Sequence, residues 1–207
     1  MTLTSCVTLD RSFYPVCLTL LICKMGNVAY EILVFSHIFF FKQQSGLYQY
    51  KAFGDFKDCP PTLCADVYMD LEYRKQWDSY VKELYETNIG GKIVVYWEVK
   101  YPFPMYNRDY VYVRGRRDMD LNGRTVHVIL AKSISVPEIP EKHGIIRVSN
   151  YRQSLLIESD GKNGCKVSMF YYDNPGGLIP SWLINWVAQV SLEDAGGKIK
   201  NKQKGKF

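Results

Sequence analysis

The sequence predicts an α+β domain built on an antiparallel β-sheet with helices laid over it. Two observations carry that class. Successive strand-like runs are separated by short turns, Gly90-Gly91, Asn122-Gly123 and Gly161-Lys162-Asn163-Gly164, too short for the crossover a parallel pair requires. Several runs are also apolar on both sides, as with Val126, Val128 and Leu130 opposite Ile129 and Ala131. A sheet buried on both faces needs a cover on each, and 207 residues suffice for one such domain with a sizeable core.

Each element follows from local pattern. From Leu47 the run LYQYKAFGDF alternates with period two, as a half-buried strand does. Asp58 and Pro60-Pro61 then open a helix over Thr62–Met69, since Asp accepts from free N–H groups and Pro suits a first turn. A second helical turn is expected over Tyr73–Tyr80, followed by strands over Glu83–Ile89, Lys92–Tyr101, Arg108–Met119 and Arg124–Ile134. Asn122-Gly123 is the strongest hairpin signal among their turns. Beyond a Pro137/Pro140 loop, one strand is expected over Ile145–Ser159 and a last one over Cys165–Tyr172. In Pro180–Gln189, Trp182, Leu183 and Trp186 stand at helical spacing and start a helix able to cover the sheet.

The two ends differ from this body. Ser12–Cys23 is almost wholly apolar, and Val28–Phe41 ends in Ile38-Phe39-Phe40-Phe41. Lys24 and Glu31 cut that length into runs too short to span a bilayer, and no basic stretch or small-residue cleavage site marks a leader. The expected organisation is a divergent apolar segment over 1–44, one domain over 45–189, and a divergent Lys-rich tail over 190–207. Val190-Ser191 is what a splice donor read through in frame encodes, and a Phe run followed by Gln is what a pyrimidine tract and acceptor encode. Both ends are therefore expected to be translated intron or alternative-exon sequence; the rival reading is a genuine isoform with a membrane-seeking N-terminus.

Composition narrows the function. Part of the net charge of +5 resides in the Lys-rich tail, leaving a body too weakly basic to argue for nucleic acid. The six cysteines form no CxxC and have no His at zinc-ligand spacing, so reduced thiols and no metal site are expected. His37, His127 and His143 have no nucleophile or carboxylate at a recognisable motif spacing. The Gly-rich pieces lack the Lys-Ser/Thr of a phosphate loop. No catalytic residues and no cofactor are expected, and the chain is not read as an enzyme.

Aromatic residues make up 14% of the chain, with 16 Tyr, a density suited to a cavity wall. They concentrate in VVYWEVKYPFPMYNRDYVYV, Val94 to Val113. That stretch, Tyr73-Arg74-Lys75-Gln76-Trp77-Asp78 upstream, and Asp173-Asn174-Pro175-Gly176-Gly177 leading into Pro180–Trp186 downstream resemble the lipid-binding START domain family, nearly continuously from about Ser45 to Gln189. The resemblance implies a helix-grip fold, in which a curved antiparallel sheet surrounds a C-terminal helix and encloses a lipid tunnel. The family's N-terminal helix, the strand that follows it and most of its C-terminal helix have no recognisable counterpart here. The likeness is greatest to members that bind phosphatidylcholine. It implies non-enzymatic binding and intermembrane transfer of that lipid, transient membrane contact and a cytoplasmic location. The alternative is a truncated regulatory module without efficient transfer, acting on a partner such as a fatty-acyl-metabolising enzyme.

The same resemblance assigns candidate residues. Trp97, Tyr110 and Tyr151 match the aromatic positions around the choline, Arg74 the phosphate-binding position, and Asp78 the acidic residue near the head group. Gln153, two residues beyond Tyr151 on the same strand face, is a further candidate for a lipid polar group. The chemistry fits those types: a quaternary ammonium, lacking N–H donors, is held against ring faces, and Arg offers a two-pronged donor to phosphate. Spacing alone reads Arg74 and Asp78 as a solvated i,i+4 ion pair and Trp97 as core packing.

Overall fold

The computed structural model describes residues 6–7, 34–42, 48–101 and 103–177. The expected Pro180–Gln189 helix and the 190–207 tail lie outside them. Ten strands among these residues form one sheet in the order β1-β2-β3-β10-β9-β7-β6-β5-β4, with β8 off this path. They are β1 (Cys6–Val7), β2 (Val34–Lys42), β3 (Tyr48–Phe56), β4 (Val81–Ile89), β5 (Lys92–Val99), β6 (Asn107–Leu121), β7 (Arg124–Ser133), β8 (Ile145–Arg147), β9 (Tyr151–Ser159) and β10 (Cys165–Asp173). Helices α1 (Pro61–Met69) and α2 (Leu71–Trp77) connect β3 to β4, at the opposite edge of the sheet.

The hairpins form where turn chemistry is local and strong. Gly90 and Gly91 have φ of 58 and 78, and Asn122 and Gly123 have 56 and 78, the two successive positive values that a two-residue hairpin requires. A Cβ at Gly123 would meet nothing within 4 Å, so only the backbone objects to a side chain there. Gly123→Ala is expected to lower stability by about 1 kcal/mol in a denaturant titration. An unchanged midpoint would mean that the turn relaxes freely.

Four expectations are corrected. Residues 34–42, placed outside the domain, form β2, which pairs antiparallel with β3. Asp58 does not cap α1: it sits at φ 57, and the N-cap is Pro60 with no side-chain bond. The single strand over Ile145–Ser159 divides into β8, parallel to β6 through Asn107↔Ile145, and β9, antiparallel to β7. Strand β7 ends opposite Tyr112, and β8 takes over the ladder of β6 below it, so one straight strand could not serve both partners. Finally, β7 is not buried on both faces along its whole length: Val126 is 2% exposed, but Leu130 on the same face is 58% exposed.

Alternation sorts the core. On the inner face Val95, Trp97, Tyr110, Tyr112, Ala131, Tyr151 and Tyr171 cluster at one end. At the other, Ile129, Leu155, Ile157, Val167 and Met169 pack under Cys64 and Ala65 of α1. The outer face of β5 and β6, Val94, Tyr96 and Val111, is covered by Ile139, Ile134 and Val136 from the loop after β7. Arg147 ties that loop down, donating to Asp109 at 2.8 and 2.9 Å and to the Ile139 and Pro140 carbonyls.

Candidate functional site

The site forms where α2 meets the aromatic end of the inner face. Asp70 caps α2 by accepting from the Tyr73 N–H at 2.8 Å. The helix buries Leu71 and Arg74, three residues apart and so on one side. Arg74 consequently faces the sheet. Its guanidinium carbon lies 4.2 Å from the Trp97 ring centroid, and Nε and Nη2 both donate to Asp78 Oδ2, at 3.1 and 3.0 Å. Asp78 also accepts from the Tyr80 N–H through Oδ1. The pair that spacing read as solvated is buried, with side-chain exposures of 7% and 0%. A pair so placed is costly to desolvate and sensitive to loss of either partner.

A chain of rings continues from Trp97. Trp97 and Tyr110 are register partners and stack at 4.8 Å. Tyr151 meets Tyr110 edge-on at 5.5 Å and Tyr112 at 5.2 Å, and Tyr171 lies 5.6 Å away. Gln153 Oε1 accepts from both Tyr151 and Tyr68 at 2.7 Å. The hydroxyls of Tyr110 and Tyr171 both donate to Asp173 Oδ2 at 2.8 Å. Burial pushes the Asp173 carboxyl up in spite of those two bonds, and it raises the Tyr68 and Tyr112 phenols as well. Trp97 Nε1 is buried without a hydrogen-bond partner among the described residues, a donor that is costly to leave unmade.

All six sequence-derived candidates thus join one contiguous patch: Asp78, Arg74, Trp97, Tyr110, Tyr151 and Gln153. Sequence reasoning missed Tyr112, Tyr171, Asp173 and Tyr68. The first three were within its reach, because period-two alternation puts Tyr112 on the face of Tyr110 and Asp173 on that of Tyr171. Tyr68 arrives from α1, and no local signal aims it at Gln153.

Two further groupings were invisible in sequence. His127 lies between Asp118, 2.8 Å from Nδ1, and Thr62, 3.2 Å from Nε2. Arg116 bonds Asp118 and Asp66, and Arg114 donates to the Tyr68 and Met69 carbonyls at the end of α1. These contacts fasten α1 to the sheet; Arg116, then His127, hold the Asp118 carboxyl down at about 2. The second grouping is of thiols: Cys59, Cys64 and Cys165, read as isolated, converge beneath α1.

An antiparallel sheet of this order with helices over one face is the architecture of a START-type domain. The chain belongs to the START domain family: the family model matches residues 25–195, beginning upstream of Ser45 and ending downstream of Gln189. The chain is 67% identical over 147 residues to phosphatidylcholine transfer protein of Homo sapiens, covering 71% of this chain and 69% of that one. To phosphatidylcholine transfer protein of Bos taurus it is 58% identical over 184 residues, covering 87% and 86%. The crystal structure of human STARD10 superimposes with a TM-score of 0.65 at 26% identity, over 80% of this chain and 69% of that chain.

Proposed function

We propose that this chain binds phosphatidylcholine and carries it between membranes without catalysis. The observation that supports this most is the buried stack of Arg74 on Trp97 beside Tyr110 and Tyr151. Aromatic faces suit a trimethylammonium, and a guanidinium beside them suits the phosphate. Asp78 engages Nε and Nη2 of Arg74, so the Nη1 edge is the one offered to a phosphate oxygen. On binding, Arg74 turns from the Trp97 ring toward that oxygen and the choline takes the ring faces. Asp78 keeps the arginine oriented, and Trp97 Nε1 supplies a further donor. Acyl chains need a dry path, since each buried CH₂ contributes about 0.8 kcal/mol.

Transfer also needs brief contact with a bilayer. Phe103 and Tyr106, in the β5–β6 connection, are 95% and 64% exposed, and aromatic rings favour the membrane interface. Arg108 anchors that connection, lying over Tyr101 and donating to the carbonyls of Tyr106, Pro175 and Gly176. No helix among the described residues is long and apolar enough to cross a membrane. A cytoplasmic location is part of the proposal; a fatty-acyl-metabolising enzyme partner belongs to the alternative role, in which lipid is bound but not moved.

Head-group choice tests the reading. Vesicles containing phosphatidylcholine should load the protein in preference to phosphatidylethanolamine, because a primary ammonium prefers hydrogen-bond acceptors to ring faces. Native mass spectrometry should find one phospholipid per chain, and a vesicle-to-vesicle assay should show its delivery. Equal loading by the two lipids would remove the choline assignment, and loading without delivery would favour the regulatory role.

A further inference from the structure

We propose that Cys59, Cys64 and Cys165 form a three-thiolate site for a soft divalent d10 cation, with zinc as the natural occupant and cadmium as its probe. The three Sγ atoms all lie within 4.8 Å of one another. Thiolates on one zinc at about 2.3 Å sit roughly 4 Å apart, so small side-chain adjustments suffice. The donors come from three separate places: Cys59 from the β3–α1 connection, Cys64 from α1, and Cys165 from the first position of β10.

The scaffold around them is rigid. Cys165 is held on both sides, as register partner of Phe56 on β3 and Ser159 on β9. The chain enters β10 through Gly164, where a Cβ would clash with the Phe56 carbonyl oxygen. Cys64 is fixed by the helix, whose ties to the sheet through Thr62, Asp66 and the Tyr68 and Met69 carbonyls are described above. The thiols are 7%, 1% and 0% exposed for Cys59, Cys64 and Cys165.

Chemistry selects the ion. An all-sulfur donor set disfavours hard cations such as magnesium and calcium and favours soft or borderline ones. Three thiolates with a divalent ion carry one net negative charge, whereas a monovalent ion would leave two inside an apolar cluster. The positive N-terminal end of α1 offsets part of the remainder. Metal binding would release the thiol protons to solvent. A cleft of about 400 Å³ is lined by Asp58, Pro60, Pro61, Lys162 and Asn163, neighbours in the chain of Cys59 and Cys165. Bound metal would staple α1 to β10.

Cadmium titration of the reduced full chain carrying Cys6→Ser, Cys17→Ser and Cys23→Ser tests the site, read by thiolate-to-cadmium absorption and native mass. The expected result is one ion per chain. Adding Cys64→Ala or Cys165→Ala should weaken binding beyond the roughly 100-fold that loss of an outer-shell partner costs. Zinc should raise the melting midpoint only while all three thiols remain. If the triple substitution unfolds the chain, the same comparison is made between the natural chain and its Cys64→Ala and Cys165→Ala variants, where a loss of one bound cadmium is expected. Unchanged affinity or stoichiometry in the alanine variants, or a mass two hydrogens short under reducing conditions, would overturn the proposal.

Discussion

Replacing Arg74 by alanine is expected to weaken phosphatidylcholine binding by about 1.5–3 kcal/mol, roughly 10- to 150-fold. The charge-assisted contact to a desolvated phosphate is lost. The substitution also strands Asp78, whose side chain is fully buried, and breaking a buried pair from one side costs about 3–5 kcal/mol of folding stability. Binding and folding must therefore be separated. The double variant Arg74→Ala/Asp78→Ala removes the stranded charge and should recover much of the stability, but not the affinity. Arg117→Ala, at an exposed strand position, is the neutral control. Arg116→Ala is not, because Arg116 bonds Asp66 and Asp118. Lipid affinity in the double variant equal to that of the natural chain would remove Arg74 from the site.

A stability loss of similar size, about 3–5 kcal/mol, is expected for Asp109→Ala. Asp109 is 1% exposed and takes both prongs of Arg147, whose guanidinium it holds above its ordinary range. Without it the half-buried cation keeps only the Ile139 and Pro140 carbonyls. The loop covering Val94, Tyr96 and Val111 then keeps its backbone bonds to β6 but loses the ion pair that fastens it there. Asp109→Asn, which keeps the shape and one acceptor, should fall between the two. Chemical denaturation decides it: a loss below about 1 kcal/mol for the alanine variant would show that apolar packing through Ile139, rather than the ion pair, closes this face.

The sequence by itself determined what is local. Two-residue turns with positive φ, at Gly90-Gly91 and Asn122-Gly123, needed no tertiary help, because only glycine and asparagine accept those dihedrals cheaply. Strand alternation likewise put Gln153 on the face of Tyr151, since side chains two apart share a face whatever the sheet packs against; Trp97, Tyr110 and Tyr151 were assigned through the family resemblance. The i,i+4 spacing of Arg74 and Asp78 predicted their ion pair. It carried no information on burial, which depends on β5 lying beneath α2. The place of residues 34–42 in the sheet was not legible for a related reason: a strand with little alternation reveals itself only through its partner, β3. Likewise, the break between β8 and β9 follows from two different ladders competing for one stretch of chain. Only the tertiary structure set His127 between Thr62 and Asp118, or gathered Cys59, Cys64 and Cys165 beneath α1. Those groups lie far apart along the chain, and their distances are set by sheet register and helix docking, which no local pattern encodes.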